Sequence, residues 1–156
     1  MEQALKDEIV QFIAAEVGQT YVSDWLLVGQ PVITQFADCT QDWNFLHVDP
    51  ERAAETEFGG TIAHGFLVLS LLAPLRASTP PRPGFPGFRV AVNYGIEKLR
   101  WVQPVRAGSR IRGHFKVAAI TETAPGRYRE ELDVTVECEG LERPAMVASW
   151  LTMYMT

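Results

Sequence analysis

The chain has 156 residues, of which 47% are hydrophobic and 21% charged, which fits one globular domain and excludes two ordinary ones. Its 14 basic and 19 acidic residues give a net charge of −5 without any Lys or Arg run, so we expect no nucleic-acid partner. The acidic start MEQALKDEIV is unlike a signal peptide, and no apolar run reaches the roughly 20 residues of a membrane helix. These features predict a cytoplasmic protein with no membrane partner.

The first segments along the chain predict helices. Leu5, Ile9 and Phe12 recur at helical spacing, and Gly18 is suited to the left-handed conformation that ends a helix. Residues 25–28 predict a short strand, and Pro31 suits the first turn of a second helix. We expect that second helix to end near Thr40.

The middle of the chain holds three further features. The segment CTQDWNFLHVDP is polar but carries too much apolar surface for a mobile linker, so we expect it to pack. Residues 51–56 predict a short helical turn, and residues 65–75 predict a wholly apolar helix that is buried on all sides. Residues 78–87 are rich in proline and glycine, which is typical of an irregular surface loop.

The second half predicts strands. Four runs have strand character and are separated by turn signals: residues 88–99, 110–121, 128–138 and 145–155. Helices followed by antiparallel strands predict the α+β class. One all-apolar helix ahead of these strands predicts a hot-dog fold, in which a curled antiparallel sheet wraps around a central helix.

Asp42, Asn44 and His47 are the strongest candidates for chemistry, because they lie within six residues of a segment rich in aromatic side chains. Histidine titrates near neutrality, and a carboxylate beside it can orient it and hold a water molecule. A purely structural interpretation of each also stands: a helix N-cap for Asp42, a turn residue for Asn44, and for His47 a half-buried ring bonded to a backbone carbonyl.

Gly65 begins the predicted central helix, where free N–H groups and a partial positive charge are available. Its amide could stabilise charge on a carbonyl oxygen, although close helix packing would also require glycine. His64, His47 and Asp49 lack the spacing of a metal site, so we expect no metal.

Other residues predict no further site. The sequence contains no motif for covalent catalysis and no glycine-rich motif for phosphate binding. Arg76, Arg82, Arg89 and Lys98 could contact a coenzyme phosphate, but scattered basic residues are more often expected at the solvated surface, and none is assigned a role. Cys39 and Cys138 form no CxxC pair and are expected to be reduced, small and buried.

The segment FADCTQDWNFLHVDPERAAETEFGGTIAHGFLVLSLL resembles the signature of the MaoC-like dehydratases, in which Asp-x-Asn-x-x-His precedes a His-Gly at the start of the central helix. The likeness continues through AVNYGIEKLRWVQPVRAGSRIR, which is similar to the single-domain, nodulation-protein-N-like branch. This resemblance implies one hot-dog domain over residues 1–156, a homodimer, and reversible syn hydration of trans-2-enoyl-CoA to (R)-3-hydroxyacyl-CoA.

The resemblance also implies roles for residues. Asp42 and His47 correspond to the catalytic pair, Asn44 to the asparagine that fixes its geometry, and Gly65 to the amide that polarises the substrate carbonyl. Phe45 departs from the family, because many members have proline there, so the acyl chain length is left open. CoA, or an acyl-carrier protein, enters as part of the substrate, and no separate cofactor is implied.

Three alternatives remain open at this stage. An acyl-CoA thioesterase uses the same fold with a carboxylate-activated water. A non-catalytic acyl-binding module needs only an apolar tunnel. A structural subunit that pairs with a second hot-dog chain is the third.

Overall fold

The structure is a computed structural model that describes residues 2–156. Its helices are α1 (Glu2–Glu16), α2 (Gln30–Thr40), α3 (Phe45–Val48), α4 (Pro50–Ala54), α5 (Gly65–Ser70) and α6 (Leu72–Ala77). Its strands are β1 (Thr20–Val22), β2 (Leu26–Val28), β3 (Val90–Trp101), β4 (Ser109–Ala124), β5 (Arg127–Cys138) and β6 (Met146–Met155). Helices dominate the first half and long strands the second, which confirms the predicted α+β class.

All the strands join one antiparallel sheet in the order β1-β4-β5-β6-β3, with β2 also paired to β4. The four predicted strands are therefore confirmed, while β1 was not predicted. Gly18 follows α1 with a φ of +93°, as predicted for the residue that ends that helix. The inward face of α5 and α6 packs into the core of the sheet, with Leu67, Leu72 and Leu75 all buried. This is the predicted hot-dog arrangement.

The central helix differs from its prediction in two respects. It is interrupted at Leu71 between α5 and α6, because Pro74 has no N–H for the carbonyl of Ser70 and its ring crowds that carbonyl. It is also not buried on all sides, since Phe66 keeps 64% of its surface exposed. Among residues 2–156, no helix is both long and apolar enough to cross a bilayer.

The loop of residues 78–87 is anchored, because Phe85 is buried and Arg82 forms two ion pairs. Arg82 lies 2.6 Å from Glu130 and 3.3 Å from Glu16, and all three side chains are at most 9% exposed. The expectation that Arg82 is solvated was therefore wrong, because these two carboxylates, distant in the sequence, compensate its charge. Tyr154 donates a hydrogen bond to Glu130 at 3.2 Å, and its burial beside this carboxylate raises the pKa of Tyr154 to about 12.

The two cysteines lie in different environments. Cys138 is buried, and its burial raises the pKa of its thiol. Cys39 is exposed, which corrects the prediction that both are buried. It follows the buried Ala37 of α2 by two residues, and two residues turn a helix by about 200°, away from the core.

We predict that Arg82→Met lowers the free energy of unfolding by about 3 to 5 kcal/mol, because it leaves Glu16 and Glu130 buried without a compensating charge. Chemical denaturation at one protein concentration measures this change. Arg110→Met is the matched control, because the Arg110–Glu139 pair is exposed, at 49% and 46%, and exposed pairs contribute little. Equal losses in the two variants would contradict the prediction.

Candidate active site

The segment between α2 and α4 forms its turns through side-chain caps. Gln41 ends α2 in a left-handed conformation with a φ of 60°, which redirects the chain. Asn44 caps α3 by accepting a hydrogen bond from the N–H of Leu46 at 3.0 Å, and Asp49 caps α4. The N-cap role that the structural interpretation gave to Asp42 is provided by Asn44, and the capped turn presents His47 to the start of α5.

Two histidines connect this turn to the start of α5 through reciprocal hydrogen bonds. Nδ1 of His47 lies 2.7 Å from the carbonyl oxygen of Ile62, and Nε2 of His64 lies 3.0 Å from the carbonyl oxygen of Asp42. The two imidazole rings stack with centroids 3.8 Å apart and planes 28° from parallel. Each ring therefore holds the backbone of the opposite segment, and the two segments are fixed as one unit.

These contacts determine the position of the proton on each neutral ring. A carbonyl oxygen only accepts hydrogen bonds, so Nδ1 of His47 and Nε2 of His64 must be the donors. Nε2 of neutral His47 therefore carries a free lone pair. The corresponding Nδ1 of His64 is buried and has no hydrogen-bond partner among the described residues.

The structure brings Asp42 and His47 together, as the sequence suggested. A carboxylate oxygen of Asp42, a ring nitrogen of His47 and a ring nitrogen of His64 all lie within 4.8 Å of one another. Asp42 is exposed, His47 half-buried and His64 only 2% exposed. A carboxylate, a half-buried imidazole with a free lone pair and a buried supporting imidazole thus share one place, which is suited to moving a proton.

The surroundings of His47 favour its neutral form. Burial lowers the pKa of His47 below its ordinary value of 6.5, and the nearby His64 acts in the same direction. The hydrogen bond to Ile62 and the charge of Asp42 oppose this effect without reversing it. The ring is therefore available as a proton acceptor at neutral pH.

Gly65 is the first residue of α5, where an N–H has no acceptor within its own helix. Trp101 packs directly against it and donates a hydrogen bond from Nε1 to the Gly65 carbonyl at 2.8 Å. A Cβ atom on Gly65 would lie 2.8 Å from this indole ring, so close packing also requires glycine. His47, Gly65 and Trp101 all line one cavity of about 320 Å³.

Asp42, His47 and His64 are also the group whose donor atoms could hold a metal ion. Asp49, which the sequence analysis weighed as a metal ligand together with His47 and His64, instead caps α4. A zinc ion lies near the plane of each imidazole, at about 2.0 to 2.1 Å from its nitrogen. The planes of two rings that stack 3.8 Å apart and lie 28° from parallel do not meet within that distance of both nitrogens. The observed geometry therefore does not fit a metal.

Sequence reasoning missed two parts of this site. His64 was weighed as a metal ligand and as part of the His-Gly signature, but no role at the site was predicted for it. Trp101, at the end of β3, is distant in sequence from Gly65, and no local pattern indicated that they meet.

Comparison with known proteins identifies the family. Residues 12–140 match the family model described as MaoC like domain. The chain belongs to the MaoC-like domain family. This MaoC-like chain is 43% identical to Nodulation protein N of Rhizobium leguminosarum bv. viciae over 145 residues, which cover 90% of this chain and 85% of that protein.

Two further relatives of the MaoC-like chain have names that state a chemistry. It is 39% identical to the 3-hydroxyacyl-thioester dehydratase Z of Mycobacterium tuberculosis over 149 residues, which cover 95% of this chain and 97% of that protein. The solved structure of the (R)-hydratase from A. caviae involved in PHA biosynthesis is similar, with a TM-score of 0.71 and 28% identity. That similarity covers 88% of this chain and 95% of the hydratase chain. The predicted MaoC-like family and hot-dog fold are thereby confirmed.

We predict that the imidazole of His47 titrates below 6.5, because burial disfavours its charged form. An NMR titration measures this value, and His47→Gln assigns the resonance by removing it. The unfolded chain then binds this proton more tightly, so the contribution of His47 to the free energy of unfolding should rise with pH between its lowered pKa and 6.5. A midpoint above 6.5 would contradict the prediction.

Proposed function

We propose that this MaoC-like chain is a hydro-lyase that adds water reversibly to trans-2-enoyl-CoA and forms (R)-3-hydroxyacyl-CoA. One observation carries the proposal: the Asp42 carboxylate and the His47 imidazole lie together, and His47 lines the same cavity as Gly65. The 3-hydroxyacyl-thioester dehydratase and the (R)-hydratase among its relatives support this chemistry.

The substrate carbonyl binds at the start of α5. The N–H of Gly65 donates a hydrogen bond to the thioester oxygen, which makes the β-carbon electrophilic. The same hydrogen bond strengthens as negative charge develops on that oxygen, so it stabilises the enolate more than the substrate. Trp101 holds the Gly65 carbonyl and keeps this turn in place.

The water molecule binds between Asp42 and His47. The carboxylate accepts one hydrogen bond and orients the water, while Nε2 of His47 accepts its other proton as the oxygen bonds to the β-carbon. The electrons of the carbon–carbon double bond move to the enolate. The His47 imidazolium then returns the proton to the α-carbon on the same face, which completes a syn addition and restores both residues.

Asn44 acts through geometry in this scheme. Its cap on α3 fixes the turn that carries Asp42 and His47, so it positions the pair without touching the reacting atoms. The reaction changes no oxidation state, so it requires no flavin or nicotinamide. CoA takes part only as the thiol of the substrate.

We predict that Asp42→Asn and His47→Gln each lower kcat by a factor of about 10² to 10⁴, because proton transfer by a correctly positioned side chain accelerates a reaction by about that factor. Loss of the conjugated enoyl absorbance of crotonyl-CoA measures the rate, and the configuration of the product is determined separately. Asp38→Asn, an exposed site on α2, is the matched control and should retain full activity. Thiol release from saturated acyl-CoA, without hydration of the enoyl substrate, would instead indicate a thioesterase.

The proposal includes a homodimer formed through β3. This strand ends the sheet order, is 12 residues long, and has exposed Val90, Val92 and Tyr94 side chains at 48%, 40% and 59%. A long apolar edge strand is a template for pairing with another chain. A second copy of the same chain would cover this edge in a symmetric contact.

We predict that Val90→Lys shifts the protein from dimer to monomer in sedimentation velocity, because it places a charge in the proposed interface. Val10→Lys is the matched control, since Val10 is 65% exposed on α1 and lies outside the proposed contact. A dimer that is unchanged by Val90→Lys would argue against pairing through β3.

A further inference from the structure

His47 lies in a helix that is too short to hold its own backbone in place. α3 has four residues, Phe45–Val48, and so short a helix is unstable by itself. The N–H of His47 donates to the carbonyl of Asn44 at 2.9 Å. The carbonyl of His47 lies in the last turn, where a carbonyl has no N–H partner within its own helix. It therefore depends on a donor from outside α3.

Gln30, the first residue of α2, supplies this donor. Its side-chain Nε2 donates a hydrogen bond to the carbonyl of His47 at 2.7 Å and a second one to the hydroxyl of Thr34 at 3.3 Å. Because a carbonyl oxygen only accepts, the amide must turn its nitrogen rather than its oxygen toward His47. Gln30 thus reaches across from α2 and caps the end of the shorter helix.

Thr61 fixes the orientation of the Gln30 amide. Its hydroxyl donates a hydrogen bond to Oε1 of Gln30 at 2.5 Å, and the residue is only 6% exposed. If the amide turned over, its oxygen would face the carbonyl oxygen of His47, and two acceptors would meet without a proton between them. The amide of Gln30 is therefore held in one orientation.

The same hydrogen bond connects Gln30 to the segment that holds the His47 ring. Ile62 follows Thr61 in the chain, and its carbonyl accepts from Nδ1 of His47 at 2.7 Å. Backbone hydrogen bonds of 2.9 and 2.7 Å join Thr61 and Ala63 to residues 105–107, which fixes this segment. The carbonyl of His47, through Gln30, and its ring are therefore held by one short piece of backbone.

We propose that Gln30 is a positioning residue for the proton transfer at His47. The inference rests on the proposed function and deepens it, although Gln30 touches none of the reacting atoms. The N–H, the carbonyl and Nδ1 of His47 are each hydrogen-bonded, which leaves Nε2 to accept the proton of the water. With its backbone and its ring both held, His47 presents this nitrogen at one place, as efficient proton transfer requires.

Gln30→Met tests the inference, because it keeps the length of the side chain and removes its polar atoms. We expect kcat for crotonyl-CoA hydration to fall roughly tenfold to 100-fold, since a displacement of about 1 Å at a catalytic group can cost that much. KM should stay nearly the same, because Gln30 does not contact the substrate in the proposed scheme. Thr61→Val removes the hydroxyl that orients the amide and should lower kcat by a smaller factor, whereas Thr61→Ser keeps the hydroxyl and should restore most of the activity.

A second measurement follows the His47 ring without requiring turnover. Nitrogen NMR shifts of an imidazole distinguish a proton on Nδ1 from a proton on Nε2. We expect neutral His47 of the wild-type protein to carry its proton on Nδ1, where the Ile62 carbonyl accepts it, and Gln30→Met to populate both forms. If Gln30 only stabilised the fold, the folded Gln30→Met protein would keep both the wild-type kcat and the wild-type proton position.

Gln35→Met is the matched control, because Gln35 is an exposed residue of the same helix; it should match the wild-type protein in kcat and in proton position. Unchanged kcat and proton position in folded Gln30→Met would overturn the inference. If Gln30→Met did not fold, unchanged kcat in Thr61→Val would overturn it instead. A wild-type proton on Nε2 of His47 would overturn it without any variant. Failure of the proposed function is separate, because it would appear as no hydration of crotonyl-CoA by the wild-type protein, and the NMR measurement would still test the positioning of His47.

Discussion

The reciprocal hydrogen bonds between two histidines and two backbone carbonyls are the constraint on which the site depends. His47 binds the carbonyl of Ile62, and His64 binds the carbonyl of Asp42, so neither segment can shift without the other. Because carbonyls only accept, the same two bonds set the tautomer of each ring. Stacking of the rings places the buried imidazole of His64 against His47, which lines the cavity. The same two hydrogen bonds therefore determine both the geometry of the site and the position of the proton on each neutral ring.

The α5–α6 pair connects this site to the rest of the molecule. Its first residue, Gly65, has an N–H without an acceptor in its own helix, and its last turn carries Arg76 beside the cavity that Asn93 and Tyr154 also line. The break at Leu71, which Pro74 imposes, lies between these two ends. The ion pairs of Arg82 join the loop of residues 78–87 to α1 and β5. They fix the end of the helix pair.

Prediction from the sequence succeeded where neighbouring residues determine the structure and failed where residues distant in the chain determine it. The alternation of Leu132, Val134 and Val136 revealed β5 because each strand residue faces the side opposite to its neighbours. The burial of the central helix was overestimated, because an apolar sequence such as that around Phe66 does not show which face meets the core. Arg82 was misplaced because its partners, Glu16 and Glu130, are 66 and 48 residues away in the chain.

The sequence by itself determined α1, α2, α4, the apolar helical segment of α5 and α6, the four long strands and the resemblance to MaoC-like dehydratases. It also placed Asp42, Asn44 and His47 within one six-residue segment. Only the tertiary structure decided which nitrogen of His47 is free, why its pKa is lowered, and that Trp101 closes over Gly65. It also decided that Arg82 is buried between Glu16 and Glu130. These properties depend on hydrogen bonds, burial and charges contributed by distant segments, and no local pattern in the chain records them.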